Sequence, residues 1–85
     1  MPTSKSTSPT MIETVAVASS AMSKLSYHFG MSVLQVEFQD GTVYRYLDVP
    51  ILAYRELLRA DSKGAHLNHH IRNVFAHAVG PMIDP

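Results

Sequence analysis

The alternation of apolar and polar side chains predicts a β-hairpin in the middle of the chain. Residues 32–38 alternate apolar and polar positions, and residues 42–47 are rich in β-forming side chains. Asp40 and Gly41 lie between the two segments. Glycine tolerates the positive φ angle that hairpin turns demand, so this pair marks the turn.

The loop length decides which side chains share a face of the hairpin. A two-residue loop pairs Val36 with Arg45, which places a charge among apolar residues, whereas a three-residue loop with a glycine bulge pairs Val36 with Tyr44. A slip of one residue turns every side chain to the other face, so the cleaner apolar face favours the three-residue loop. That face then contains Leu34, Val36, Phe38, Tyr44 and Tyr46.

Helical spacing of apolar residues follows the hairpin. Pro50 is well placed in the first turn of a helix that ends near Ala60, and a second helix is predicted over residues 65–78, before Gly80 and Pro81. Residues 61–64 form the turn between them. The expected buried positions are Ile51, Tyr54, Leu57 and Leu58 in the first helix and Leu67, Ile71, Val74, Phe75 and Ala78 in the second.

The segment before the hairpin is less regular. Residues 14–17 and 24–29 are possible short strands, and residues 1–10 are rich in Ser, Thr and Pro, which is typical of a disordered tail. The predicted fold is therefore α+β, a small antiparallel sheet of about three strands with a central β-hairpin, packed by two C-terminal helices. We expect a disordered tail over residues 1–12, one domain over residues 13–79 and a C-terminal tail over residues 80–85.

Composition narrows the class of protein. A chain of 85 residues makes one domain, and the absence of cysteine excludes disulfides, thiolate metal sites and cysteine nucleophiles. The formal net charge is zero, which argues mildly against tight non-specific binding to nucleic acid, although the second half of the chain is mildly basic. No apolar run has the length of a membrane span and the N-terminus lacks a signal sequence, so we expect a cytoplasmic protein without a membrane partner.

The ordered set of residues along the chain resembles a known family. The set consists of Ser19, Ser20, Tyr27, Leu34, Val36, Phe38, Gly41, Tyr44, Tyr46, Val49, Pro50, Tyr54, Ala60, Ser62, Gly64, Asn68, Ile71 and Arg72. With these spacings, residues 15–75 resemble the KTSC domain, which is named for the C-terminal region of some lysyl-tRNA synthetases and also occurs as a stand-alone bacterial or phage protein. The resemblance implies no established activity, and it suggests RNA binding by association.

Tyr44 and Tyr46 are the first candidates for a binding role. Two tyrosines on one strand face can stack nucleobases, with Arg45 between them as a cation. The alternative is that both rings pack beneath the helices, and the register of the hairpin favours this core position.

The turn of Ser62, Lys63 and Gly64 is the second candidate. Its hydroxyl, charge and loop N–H groups, just before a helix, could hold an anion. The alternative, which we favour, is a connection in which Ser62 caps the helix and Gly64 relieves backbone strain. Asn68 and Arg72 are four residues apart and neighbour each other on a helix, where structural and phosphate-binding roles are equally supported.

The remaining polar residues indicate no catalysis. His66 and His70 have a spacing that can coordinate a metal ion, but no third ligand is near in sequence. A solvated helix face is therefore favoured for His66, His69, His70 and His77. Ser19 and Ser20 have no base or orienting group beside them in the sequence, and acidic residues are scattered singly. We therefore expect no enzyme, no metal and no cofactor.

Three functions remain open from the sequence. The first is a small non-catalytic binding module for RNA, contacting it through Tyr44, Arg45, Lys63 and Arg72. The second is a module for protein–protein interaction or a structural role, such as a homo-oligomer or a phage-type regulator. The third and least favoured is a binding protein for a small anionic ligand. The candidate site residues are Tyr44, Arg45, Tyr46, Ser62, Lys63, Gly64, Asn68 and Arg72.

Overall fold

Five strands pair in chain order to form one antiparallel sheet. The computed structural model describes residues 11–81, and the sheet order is β1-β2-β3-β4-β5. Two helical elements lie between β4 and β5. The strands are β1 (Ile12–Ala16), β2 (Met22–His28), β3 (Val33–Phe38), β4 (Val43–Tyr46) and β5 (His77–Val79).

The register of the central hairpin is the predicted one. Val36 pairs with Tyr44, Leu34 pairs with Tyr46, and the Phe38 N–H donates to the Thr42 carbonyl oxygen at 2.8 Å. Gly41 has a φ of 91°, in the left-handed region that favours glycine. The three-residue loop with its glycine is therefore confirmed.

The first helix, α1 (Ile51–Arg59), has nearly the predicted bounds, with Pro50 at its N-cap and Ala60 at its C-cap. Tyr54 and Leu57 are buried, as the helical spacing predicts. The second helix is short: α2 (Lys63–Leu67) continues into a π-helical turn, Asn68–Arg72. Such turns wind the backbone more widely than an α-helix does, and they frequently occur at functional sites.

Two predictions about the architecture are wrong. The sheet has five strands rather than about three, because the segments at residues 12–16 and 77–79 both pair as edge strands. The predicted helix over residues 65–78 ends at Arg72, and Val74, expected to be buried, is 62% exposed. Residues 77–79 pair with β4 as a strand, so they are not part of the helix.

The predicted tails lie largely outside the residues described. Residues 1–10 and 82–85 are not among them, so the expectations of a disordered N-terminal tail and a C-terminal tail concern mainly those residues. At the start of the described part, β1 already begins at Ile12.

The helices pack on one face of the sheet and enclose the core. The ring of Tyr27 on β2 stacks on Tyr54 of α1, with centroids 4.6 Å apart and planes 8° from parallel. The Tyr27 hydroxyl donates to the Val49 carbonyl oxygen at 2.6 Å. The buried core consists of Met22, Leu25, Tyr27, Leu34, Val36, Tyr46, Val49, Tyr54, Leu57, Leu67 and Ile71.

Tyr54 also connects α1 to the edge strand β1. Its hydroxyl donates to Glu13 Oε1 at 2.5 Å. Burial, together with this hydrogen bond and the negative charge of Glu13, raises the pKa of Tyr54 well above its ordinary value. The neutral phenol is thereby kept as the donor to the carboxylate.

The other face of the sheet is polar along its middle row. Thr14, Ser26, Gln35 and Arg45 follow one another across β1 to β4, and Thr14 Oγ1 lies 3.1 Å from Ser26 Oγ. Both faces are thus specified by the alternation along each strand, with apolar side chains toward the helices.

Candidate binding groove

Two adjoining cavities meet at Ala21, at the β1–β2 turn, and together we call them the groove. The hairpin cavity has a volume of about 400 Å³ and the turn cavity about 210 Å³. The hairpin cavity is lined by Ala21, Phe38, Gln39, Asp40, Thr42, Tyr44 and Arg72. The turn cavity is lined by Ala18, Ser19, Ser20, Ala21, Asp61, Ser62, Lys63 and Gly64.

The turn cavity forms where two turns of the chain face each other. Ser19 Oγ accepts hydrogen bonds from the Ala21 N–H at 3.1 Å and the Met22 N–H at 3.4 Å. Ser62 is the N-cap of α2, and its Oγ accepts from the Ala65 N–H at 3.4 Å. Each hydroxyl fixes its own turn, which for Ser62 is the predicted capping role, and both turns line the cavity.

Gly64 does not have the role in backbone strain that the sequence suggested. It lies inside α2, and its φ is not in the left-handed region, where only Gly41 and Gly80 lie among the described glycines. A Cβ added at Gly64 would lie 3.6 Å from the Cβ of Ala21, which is ordinary van der Waals contact. Glycine here keeps the wall of the turn cavity open rather than relieving strain.

Tyr44 supplies an aromatic wall to the hairpin cavity. It is partly buried and contacts two other rings. His77 of β5 stacks on it at a centroid distance of 5.2 Å and an interplanar angle of 24°, and Phe38 meets it edge-on at 5.5 Å. The ring is therefore fixed in orientation while still lining a cavity.

Arg72 lines the same cavity from the end of the π-helical turn. Its Nη1 donates to Asn68 Oδ1 at 3.3 Å, so the predicted neighbours at this spacing do contact each other. Asn68 thereby orients the guanidinium. Because both residues are exposed, this hydrogen bond alone stabilises the fold little.

Tyr46 lies beneath the groove rather than in it. It is fully buried, and its hydroxyl has no hydrogen-bond partner among residues 11–81. Burial raises the pKa of Tyr46, and the positive charge of Arg72 partly offsets this. The core position favoured for the tyrosine pair is thus correct for Tyr46, whereas Tyr44 remains accessible to the cavity.

The groove carries charges of both signs. Lys63 Nζ donates to the Ala60 carbonyl oxygen at 3.2 Å, which holds the ammonium near the turn cavity. Asp61 lies in the same lining, and Asp40 lies in that of the hairpin cavity. Asp40 accepts from the Thr42 N–H at 2.9 Å, and this hydrogen bond lowers the pKa of its carboxyl group.

The structure brings together most of the predicted site residues. Tyr44 and Arg72 share the hairpin cavity, Ser62, Lys63 and Gly64 share the turn cavity, and Asn68 orients Arg72. Arg45 is separated from them, because it points to the opposite face of the sheet in the row of Gln35 and Ala78. A role for Arg45 beside Tyr44 in one site is therefore not supported.

Sequence reasoning missed several residues of the groove. Phe38 was predicted only as a core residue, and Gln39 and Thr42 only as parts of the hairpin. His77 was placed on a helix, whereas it lies on β5 against Tyr44. The pairing of His77 with Tyr46 in the β4–β5 ladder joins residues 31 positions apart (77 − 46). A local sequence pattern cannot predict a contact over that separation.

His66 and His70 contact each other on successive helical turns. The rings of His66 and His70 lie 4.5 Å apart, and burial, together with the neighbouring His70, lowers the pKa of His66. Within the described part of the chain, no three His, Cys, Asp or Glu residues are grouped so that they could hold a metal ion. No helix found between residues 11 and 81 is long and apolar enough to cross a membrane.

These features define a small α+β domain with a groove whose lining includes Tyr44 and Arg72. Its sequence matches the KTSC domain over residues 18–75. An uncharacterised protein of Stutzerimonas stutzeri is 44% identical over 54 residues, which are 64% of this chain and 76% of that protein. The chain belongs to the KTSC domain family.

Two further similarities agree with this assignment. A lysine–tRNA ligase of Nostoc punctiforme is 38% identical over 56 residues, which are 66% of this chain but only 10% of the ligase. The crystal structure of a KTSC domain protein from Yersinia pestis superimposes with a TM-score of 0.78 at 25% identity, covering 84% of this chain and 100% of that one. The sequence-based resemblance to the family is thus confirmed.

Proposed function

We propose that this domain is a non-catalytic module that binds single-stranded RNA in the groove. The observation that carries the proposal is that one cavity is lined by both the Tyr44 ring and the Arg72 guanidinium. A nucleotide presents a planar base and an anionic phosphate, and proteins bind the former by stacking on aromatic rings and the latter with arginine.

The aromatic wall is suited to a base because it is already fixed. His77 stacks on Tyr44 and Phe38 meets it edge-on, so little side-chain freedom is lost when a base packs against the part of the ring that lines the cavity. The hairpin cavity, at about 400 Å³, lies within the range of about 300–1,000 Å³ that small-ligand sites occupy.

Arg72 and Lys63 are suited to binding successive phosphates of an RNA strand because they line adjoining cavities. Arg72 lines the hairpin cavity, Lys63 lines the turn cavity, and the two cavities share Ala21. A strand whose base stacks on Tyr44 therefore has a second cation within reach of a neighbouring phosphate. Asp40 and Asp61 reduce this attraction, so the expected affinity is modest.

One relative supports RNA as the ligand. The protein of Nostoc punctiforme that shares this domain is a lysine–tRNA ligase, an enzyme named for an RNA. The domain makes up about a tenth of that protein, so the similarity supports RNA binding by association and indicates nothing about ligase activity in this chain.

The direct experiment measures the binding of a fluorescent single-stranded oligoribonucleotide over a range of salt concentrations. If Arg72 and Lys63 neutralise two phosphates, log K should fall with log salt with a slope of about −1.4. A duplex of the same sequence is the control, and we expect it to bind more weakly because its bases cannot reach the aromatic wall. Absence of salt-dependent binding at low ionic strength would exclude the proposal.

Gly64→Ala separates binding in the groove from the stability of the fold. The added methyl meets Ala21 at an ordinary distance, and alanine in a helix is more favourable than glycine by about 0.5–1 kcal/mol, so urea unfolding should show equal or higher stability. RNA affinity should fall severalfold, since the methyl occupies space in the turn cavity.

The matched control for this variant is Ala65→Ser. Residue 65 is exposed, lies next in α2 and lines neither cavity, so RNA affinity should stay unchanged. If Gly64→Ala bound RNA as well as the unmodified protein does, the turn cavity would have no part in the site, and binding would be confined to the hairpin cavity.

A further inference from the structure

The two edges of the sheet differ in how they are protected against further pairing. Unpaired N–H and C=O groups at an edge can hydrogen-bond another strand, and most proteins block them with short strands, lysine, proline or bulges. β5 has three residues and is followed by Gly80 and Pro81. β1 has five residues, Ile-Glu-Thr-Val-Ala, with no lysine, proline or glycine among them.

In β1, the backbone N–H and C=O groups of alternate residues point away from β2. Met11 O accepts from the Phe29 N–H at 3.0 Å, and the Val17 N–H donates to Ser23 O at 3.1 Å, so odd-numbered residues bond to β2. The N–H and C=O groups of Ile12, Thr14 and Ala16 consequently point outward. In the described part of the chain, no strand lies beyond β1 to receive them.

The side chains of β1 also leave this edge without a repelling charge. Its one charged residue, Glu13, accepts the hydrogen bond of Tyr54 and is held toward α1. Apolar side chains are exposed at the start of the strand, where Met11 is 71% and Ile12 is 44% exposed.

From these observations we infer that β1 pairs antiparallel with β1 of a second copy of the chain. With Thr14 on the two-fold axis, the outward groups of Ile12, Thr14 and Ala16 form six hydrogen bonds with the same groups of the second copy. Ile12 of one copy faces Ala16 of the other, and Glu13 faces Val15, so no like charges stand directly opposite each other. The sequence of β1 thus complements itself, which a two-fold contact requires.

The resulting dimer joins two five-stranded sheets into one of ten strands (5 + 5). Pairing of two short strands buries little surface and belongs to the smallest class of interfaces, below about 1,200 Å². We therefore expect a reversible, concentration-dependent dimer. No residue of β1 lines the groove, so dimerisation through β1 does not depend on RNA binding.

Charged substitutions at Thr14 test this pairing, because the residue is exposed and faces itself across the axis. In analytical ultracentrifugation, the average mass of the unmodified protein should increase from 9.4 kDa toward twice that value as its concentration rises. Thr14→Lys alone and Thr14→Glu alone should each raise the dimer dissociation constant about fivefold or more, since like charges meet. An equimolar mixture of the two variants should recover the doubled mass.

The control variant is Thr14→Val, which removes the contact of Thr14 with Ser26 but adds no charge, and it should dimerise like the unmodified protein. Hydrogen exchange adds a second measurement: the amides of Ile12, Thr14 and Ala16 should become protected only as concentration rises. A strictly monomeric unmodified protein, charged variants that dimerise equally well, a mixture that stays monomeric, or protection independent of concentration would each overturn the inference.

Discussion

Arg72→Gln is expected to weaken the binding of a single-stranded oligoribonucleotide by about ten- to a hundredfold. A hydrogen bond to a charged group contributes about 1.5–3 kcal/mol, and Arg72 is the one cation in the lining of the hairpin cavity. The slope of log K against log salt should also become shallower by about 0.7, since one phosphate contact is lost. Fluorescence anisotropy at several salt concentrations measures both quantities.

Two variants show whether the effect comes from the position of the charge or from charge alone. Arg72→Lys keeps the charge but not the planar fork that donates to Asn68, so it should keep the salt slope and lose part of the affinity. Arg55→Gln removes an exposed arginine of α1 that lines neither cavity, and we expect almost no change. Equal losses for Arg55→Gln and Arg72→Gln would contradict a site in the groove.

Tyr27→Ala is expected to destabilise the domain by about 3–5 kcal/mol, the range for truncating a large buried aromatic residue. Tyr27 is 2% exposed, stacks on Tyr54 at 4.6 Å and meets Phe29 edge-on at 5.0 Å. Small domains have total stabilities of about 0.05–0.15 kcal/mol per residue, so this loss is a large fraction of the free energy of unfolding. Urea unfolding followed by circular dichroism measures it.

Tyr27→Phe is the matched variant for the hydroxyl group. It keeps the stacked ring but removes the donor to the Val49 carbonyl oxygen, so a loss of about 1–2 kcal/mol is expected. The urea midpoint should fall with an unchanged slope, because the surface exposed on unfolding is the same. If Tyr27→Ala cost no more than Tyr27→Phe, the ring stack between β2 and α1 would contribute nothing to stability.

The parts of the fold that could be predicted are those set by neighbouring residues. The hairpin register follows from placing Val36 opposite Tyr44, and the limits of α1 follow from Pro50 and the apolar spacing after it. β5 could not be found in this way. The apolar spacing of Leu67 and Ile71 extends past Arg72 in the sequence, but pairing with β4, distant in the chain, decides the conformation of His77.

Individual residues of the groove could be predicted from the sequence, but their proximity in space could not. An arginine with an asparagine four positions before it, and a serine and lysine at a helix start, are local signals for Arg72 and Lys63. That their two cavities adjoin depends on the contact of the β1–β2 turn with the α1–α2 turn at Ala21. Arg45 shows the limit of proximity in sequence, because it neighbours Tyr44 yet faces the other side of the sheet.

The sheet order has a consequence for how the chain folds. The first three pairings join strands adjacent in sequence, so hairpins formed by β1 to β4 need only short loops to close. The β4–β5 pair instead closes a long loop that contains both helical elements, so its loop-closure entropy is larger. We therefore expect the strand that brings His77 against Tyr44 to pair last, so that the aromatic wall of the groove is completed at the end of folding.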